Sequence, residues 1–238
     1  MSSKTVYVGM SADVFHHGHV NILREARKYG EVIVGLLNDK AVAEHKRLPY
    51  LNWQHRKEII ENIKGVTKVF EQQEWDYSPT ILKYKPDYMI HGTDWIEGPL
   101  APYRSLAIKA LKSYGGELIE IEYTKGVSST QLSLKEKIIG TTTDLRKDSL
   151  KRLLNAKEIV RVMEAHNPLS ALILENISIK KNNKLIQFDG FWSSSLTDST
   201  SQGKPDIEVL EINNRLNNIN NIFDVTTKPL IMDADTGG

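Results

Sequence analysis

Gly9-Met10-Ser11-Ala12-Asp13-Val14-Phe15-His16-His17-Gly18-His19 is the stretch on which the fold turns. Just before it, residues 5–8 are β-branched and aromatic. Just after it, Val20, Leu23 and Ala26 recur at helical spacing, and the run EVIVGLL at 31–37 has the character of a buried strand. Strand, loop, helix and strand in that order make the unit of a parallel sheet. Three of the seven histidines fall within four residues of this loop. It lies at the carboxyl end of a strand and ahead of a helix amino terminus, where main-chain N–H groups and the helix dipole favour a phosphate. Gly18 lets the backbone approach a ligand, and His16 and His19 can donate hydrogen bonds to charge that grows on a phosphoryl group. A His-rich surface turn and a His-x-His metal site are the other readings, and no nearby acidic ligand completes the metal site.

Outward from the loop the alternation continues. Helices are expected at 53–64, with Ile59, Ile60 and Ile63 as an apolar stripe, at 79–84, and at 101–114 before Gly115-Gly116. Strands are expected at 66–70, 87–91 and 117–123, with a closing helix at 130–139 and with Trp53 and Trp75 in the core. This predicts an α/β fold with a Rossmann-like parallel sheet. The composition changes at Gly140-Thr141-Thr142-Thr143, which divides the chain into a domain at 1–140, a linker at 141–150 and a second domain at 151–238. Beyond the boundary the pattern predicts a charged amphipathic helix over 145–165 and strands near 188–195 and 229–235. The asparagine cluster 213–221 reads as a polar helix face or a loop.

The 238 residues carry 31 Lys+Arg against 30 Asp+Glu, a net charge of +1, which gives no electrostatic ground for a nucleic-acid or membrane partner. With no cysteine there is no disulfide framework, thiolate zinc site or cysteine nucleophile. No run of about 18 apolar residues occurs, and the amino-terminal segment lacks the pattern of a secretory signal. A cytoplasmic location is expected.

The quoted stretch resembles the opening of the cytidylyltransferase-like nucleotidyltransferases, whose hallmark is His-x-Gly-His. Further matches follow in the family's order. Val34-Gly35-Leu36-Leu37-Asn38-Asp39 looks like its second strand, and Glu44-His45-Lys46 like the mobile segment that brings a lysine over the phosphates. His55-Arg56-Lys57 resembles its arginine segment, and Gly92-Thr93-Asp94-Trp95 the stretch near cytosine and ribose. Lys125-Gly126-Val127-Ser128-Ser129-Thr130 is similar to its Glu-Gly-Ile-Ser-Thr-Thr signature. The resemblance spans residues 4 to about 140 and implies His16, His19 and Lys46 as catalytic groups. It implies nucleotide contacts from Gly9, Met10, Asp13, Gly18, Arg56, Gly92, Asp94, Lys125, Val127, Ser128, Ser129 and Thr130, together with CTP, Mg²⁺ and a homodimer. Asp13 reads either as a helix cap or as an indirect metal partner. Tyr123 stands where the family has an arginine, so Lys125 is the nearest candidate for the missing cation.

The second half resembles the first part of phosphoenolpyruvate mutase, of the isocitrate lyase group of (β/α)8 barrels. The matching stretches are Met163-Glu164-Ala165-His166-Asn167, the run Asp189-Gly190-Phe191-Trp192-Ser193-Ser194-Ser195-Leu196, and Lys228-Pro229 through Gly238. The resemblance implies that Trp192, Ser194, Ser195 and Leu196 hold the phosphonopyruvate end, that Asp206 lies on a gating loop and that Asp235 contacts Mg²⁺. A barrel of this kind needs about 250 residues. An incomplete barrel segment with at most its first two strands is therefore expected, without mutase activity.

Together the two resemblances imply CMP transfer from CTP to a small phosphonate of the 2-hydroxyethylphosphonate or 2-aminoethylphosphonate type, with release of pyrophosphate. The alternative acceptors are ethanolamine phosphate, choline phosphate and glycerol 3-phosphate. A third reading is a non-catalytic nucleotide-binding domain that docks a mutase, and retention of both motif histidines and Lys46 argues against it.

Overall fold

The computed structural model describes residues 4–98, 100–122, 143–181 and 184–236, which fall into two compact units, one within Met1–Leu134 and one within Lys135–Gly238. The first unit runs β1 (Thr5–Met10), α1 (His17–Ala26), β2 (Glu31–Leu37), α2 (Asp39–His45), α3 (Trp53–Glu61), β3 (Val66–Gln72), α4 (Ser78–Tyr84), β4 (Tyr88–Gly92), α5 (Ala101–Lys112) and β5 (Glu117–Ile121). Its five strands are all parallel, in the order β3-β2-β1-β4-β5. Alternation along β1 sends Val6 and Val8 to one face, with Leu23 of α1 and Ile60 of α3, and Tyr7 to the other, with Ile81 of α4 and Ala107 of α5. Helices on both faces make this the Rossmann-like sheet expected from the sequence. The strand order reverses between β1 and β4, and at that point a parallel sheet leaves an open crevice outside its carboxyl ends. The loop 11–16 emerges there.

Gly9, near the end of β1, faces the Tyr77 ring so closely that a Cβ would lie 2.6 Å from it. The positive φ of the buried Ala12, 46°, turns the chain off the strand. Helix α2 occupies 39–45, where the sequence suggested only a mobile segment. Asn38 caps it by accepting the Ala41 N–H at 2.8 Å, and Ala41 and Val42 are buried with Trp75. The strand expected over 117–123 ends at Ile121, with Glu122 already outside the sheet, and residue 123, the expected helix 130–139 and residues 141–142 of the linker lie outside the described residues.

The second unit contains α6 (Thr143–Ala156), β6 (Val162–Glu164), α7 (Pro168–Asn176), the hairpin β7 (Ser178–Lys181) and β8 (Lys184–Gln187), β9 (Gly190–Ser193), α8 (Ser195–Thr200), α9 (Ile212–Val225) and β10 (Leu230–Met232). Two expectations are corrected here. The helix expected over 145–165 stops at Ala156, because Ile159, Val160 and Val162 introduce a β-branched run, and Val162 pairs with Gly190 in register. Three parallel strands, β6, β9 and β10, stand side by side in chain order where at most two were expected. Ala165, Ala171, Phe191 and Ile222 form the core of this unit. The buried Arg146 of α6 donates to the carbonyls of Phe223, Thr226 and Lys228, closing the carboxyl end of α9. The asparagine cluster lies in α9, with Ile219 and Ile222 turned inward.

Candidate active site

His16 is the N-cap of α1, in extended conformation, and its Nδ1 accepts the Gly18 N–H at 3.1 Å. Reciprocally the His16 N–H donates to Nδ1 of His19 at 3.3 Å, so the two histidines form a capping box of the kind usually built from Ser/Thr and Glu/Gln. Each Nδ1 is an acceptor here. In the neutral ring the proton therefore sits on Nε2, leaving two Nε2–H donors on rings whose centroids are 4.1 Å apart. Both pKa values are lowered, for His16 by burial and then by His17. For His19 burial, His16 and Lys46 push the value down to about 3. Phe15 stacks on His19 at 5.4 Å and helps to fix the ring. The site offers two neutral donors at a helix amino terminus, on rings inclined at 45° to each other, an arrangement suited to phosphoryl oxygens.

Because the folded chain holds His19 neutral while an unfolded chain protonates it below about 6.5, folding stability should be full above that pH and decline as pH falls towards 3. Thermal melts from pH 7.5 to 5 should show this decline, and His19→Asn should flatten it. An unchanged slope in the variant would contradict the assignment.

Asp13 does not cap α1. Its carboxylate accepts the Tyr50 N–H and pairs with Arg47, both at 2.6 Å, and so fastens residues 46–50 beside the histidine loop. Lys46 begins that segment. Its Nζ lies 5.4 Å from the centre of the Trp75 ring, and crowding of the ammonium by the surrounding protein, with Arg47, lowers its pKa, against Asp94 and Asp13, which raise it. His19, Lys46, Asp13 and Asp94 thus share one electrostatic neighbourhood.

Arg56 has a different place from the nucleotide contact expected of it. It is fully buried and donates to the carbonyls of Ser11, Leu37 and Leu51 and to Asp39 at 2.7 Å. It ties together the carboxyl ends of β1 and β2 and the start of α2. Gly92 ends β4, and Asp94 lies exposed in the turn after it. Trp95 is core, stacked on His91 at 3.7 Å and donating to Glu120, which Arg104 grips with two 2.8 Å bonds. Tyr123, Lys125, Val127, Ser128, Ser129 and Thr130 lie outside the described residues.

Trp75, over which Lys46 lies, also lines a cavity of about 600 Å³ whose walls include Lys40, Glu44, Glu74, Asp76 and Tyr103. Its field is negative. The Tyr103 hydroxyl has a raised pKa, from burial first and then from Glu44, Asp76 and Glu74. Neither Tyr103 nor this cluster of acids stood out in the sequence, because they come from three separate elements.

In the second unit Trp192 is half-buried on β9, Ser194 precedes α8, and the Ser195 hydroxyl donates to Asp233 at 3.5 Å. Leu196 is 55% exposed, and Asp206 sits in an exposed turn. Asp235 accepts from Arg215 at 3.1 Å.

A five-stranded parallel sheet that presents a His-x-Gly-His loop at its reversal point defines a nucleotidyltransferase type of site. The chain belongs to the cytidylyltransferase-like family, whose profile matches residues 7–135, and a phosphoenolpyruvate phosphomutase profile matches residues 150–238. It is 32% identical over 122 residues to glycerol-3-phosphate cytidylyltransferase of Bacillus spizizenii, covering 50% of this chain and 87% of that protein. It is 30% identical over 133 residues to ethanolamine-phosphate cytidylyltransferase of Arabidopsis thaliana, covering 53% of this chain but only 31% of that longer protein. The crystal structure of phosphoenolpyruvate phosphomutase from Streptomyces platensis subsp. rosaceus matches 38% of this chain and 28% of its own, at 36% identity and a TM-score of 0.33. Among the described residues no helix is long and apolar enough to cross a membrane.

Proposed function

We propose that this chain transfers CMP from CTP to an oxygen of a small phosphonate and releases pyrophosphate. The observation that carries the reading is the reciprocal capping of His16 and His19, which uses each Nδ1 as an acceptor and so leaves two Nε2–H donors at a helix start, where phosphates bind. An acceptor oxygen forms a bond to the α-phosphorus as the bond to the β-phosphate oxygen breaks, and pyrophosphate leaves with the electron pair. No covalent enzyme intermediate is needed, so positioning and charge stabilisation account for the rate. His16 and His19 stabilise the α-phosphoryl and leaving oxygens, and Lys46 neutralises charge from its segment. Asp13 is occupied by Arg47 and Tyr50, which leaves the exposed Asp94, whose partner is His91 at 3.7 Å, as the carboxylate of the neighbourhood for an outer contact to Mg²⁺. The ion would arrive with the nucleotide and supply charge neutralisation on its phosphates. A homodimer and a cytoplasmic setting belong to the same reading.

The phosphomutase-like half supports a phosphonate as the acceptor, since that chemistry makes carbon–phosphorus bonds. The acidic, aromatic cavity that Trp75 lines supports 2-aminoethylphosphonate over 2-hydroxyethylphosphonate, because carboxylates and ring faces attract an ammonium group. The relatives named for ethanolamine phosphate and glycerol 3-phosphate favour a second reading with phosphate acceptors. Pyrophosphate release with CTP across these acceptors separates the readings, and CTP should be used in strong preference to ATP. Glu74→Gln should raise KM for 2-aminoethylphosphonate about twofold to threefold, the scale of one exposed charge, and leave the hydroxyl analogue unchanged. Equal effects on both acceptors would remove the cavity from the account. Lys125→Ala should raise KM for CTP several-fold if that lysine serves in place of the arginine absent at Tyr123. An unchanged CTP dependence would end that idea.

A further inference from the structure

The resemblance of the second unit to phosphoenolpyruvate mutase implies Mg²⁺ at Asp235, and the residues present do not fit it. The Asp235 carboxylate accepts a hydrogen bond from Arg215 Nη1 at 3.1 Å, and Arg215 Nε donates to Asp198 at 2.9 Å. Arg215 is 3% exposed, and Asp198 is buried and also accepts from the Ser193 hydroxyl at 2.9 Å. The next carboxylate along the chain, Asp233, is taken up by the Ser195 hydroxyl and by the Asp235 N–H at 3.1 Å. Among the described residues no three acidic or histidine side chains are grouped to hold a metal ion.

A divalent ion on Asp235 would bring a second cation against an enclosed guanidinium, or would have to displace it. Displacement would take one of the two carboxylates that pair a buried charge, which is among the costlier losses a fold can suffer. We infer that Arg215 is the resident cation of this site: it joins α8, α9 and the end of β10 in an Asp198–Arg215–Asp235 triad, and Asp235 is a structural partner, not a metal ligand. The serine, tryptophan and aspartate motifs of the mutase are then retained on a unit held together without the ion.

The full chain, stripped of metal and free of nucleotide, provides the test. If Asp235 serves Arg215, Asp235→Asn should lower the melting temperature in chelator by roughly 5 °C, the scale of one such contact in a unit of this size. Added Mg²⁺ should not stabilise the wild-type chain through Asp235. Mn²⁺ titration followed by electron paramagnetic resonance should give the same binding in wild type and in Asp235→Asn. Arg215→Met should melt lower still, and where it folds it should gain Mn²⁺ binding that a second Asp235→Asn change removes. Wild-type binding of one Mn²⁺ that Asp235→Asn abolishes, or an Asp235→Asn melt in chelator identical to wild type, would overturn the inference.

Discussion

Replacing His19 by alanine is expected to lower turnover at least about a hundredfold, the scale of losing one preorganised donor to developing charge. Among the described residues the ring donates no hydrogen bond through Nε2. It contributes to the cap only by accepting the His16 N–H at a long 3.3 Å, so the variant should fold. Its melting temperature should fall by only a few degrees, as for loss of a weak cap. His19→Gln, which can also donate, should recover a small part of the loss. Steady-state pyrophosphate release under saturating CTP, read beside a thermal melt, checks both statements. A near wild-type rate in a folded His19→Ala protein would remove the histidine pair from the mechanism.

Arg56→Met should act in the opposite way, on stability before chemistry. The substitution leaves the carbonyls of Ser11, Leu37 and Leu51 without their donor and Asp39 without its partner. The expected cost is about 3–5 kcal/mol, and the melting temperature should drop by about 10 °C or more. Activity should fall as well, because Ser11 leads into the histidine loop and Leu37 into the segment that carries Lys46. Calorimetry together with CTP binding distinguishes the roles. A variant with wild-type stability and lost CTP affinity would return Arg56 to direct contact with the nucleotide.

That reversal at Arg56 illustrates what could be read from the sequence and what could not. An arginine in a family motif is visible in one dimension. Whether its fork meets a phosphate or three backbone carbonyls depends on how β1, β2 and α2 converge, and no local pattern encodes that. The five parallel strands were legible because each is a short apolar run between helical periodicities, and the glycine pair 115–116 marks the end of α5. Asp13 was misread because caps are ordinarily Asp, Ser, Thr or Asn, whereas this loop uses a histidine for the purpose. Helix α2 was missed because it is short, and Trp75, which covers it, lies more than thirty residues away in sequence. In the second unit the amphipathic pattern of α6 continues in the sequence into β6. Only the pairing of Val162 with Gly190 makes that segment a strand. The acidic cavity and the Arg215 triad were beyond reach for the same reason: their residues are brought together by tertiary packing alone.

Phosphorus NMR of the reaction products reads the chemical identity of the transfer directly. Incubated with CTP, Mg²⁺ and 2-aminoethylphosphonate, the chain is expected to produce pyrophosphate and a coupled pair of signals, one in the phosphonate region and one in the diphosphate region, joined through a single bridging oxygen. Consumption of CTP to CMP without that coupled pair, or no consumption with any phosphonate while a phosphate acceptor such as glycerol 3-phosphate is cytidylylated, would contradict CMP transfer to a phosphonate.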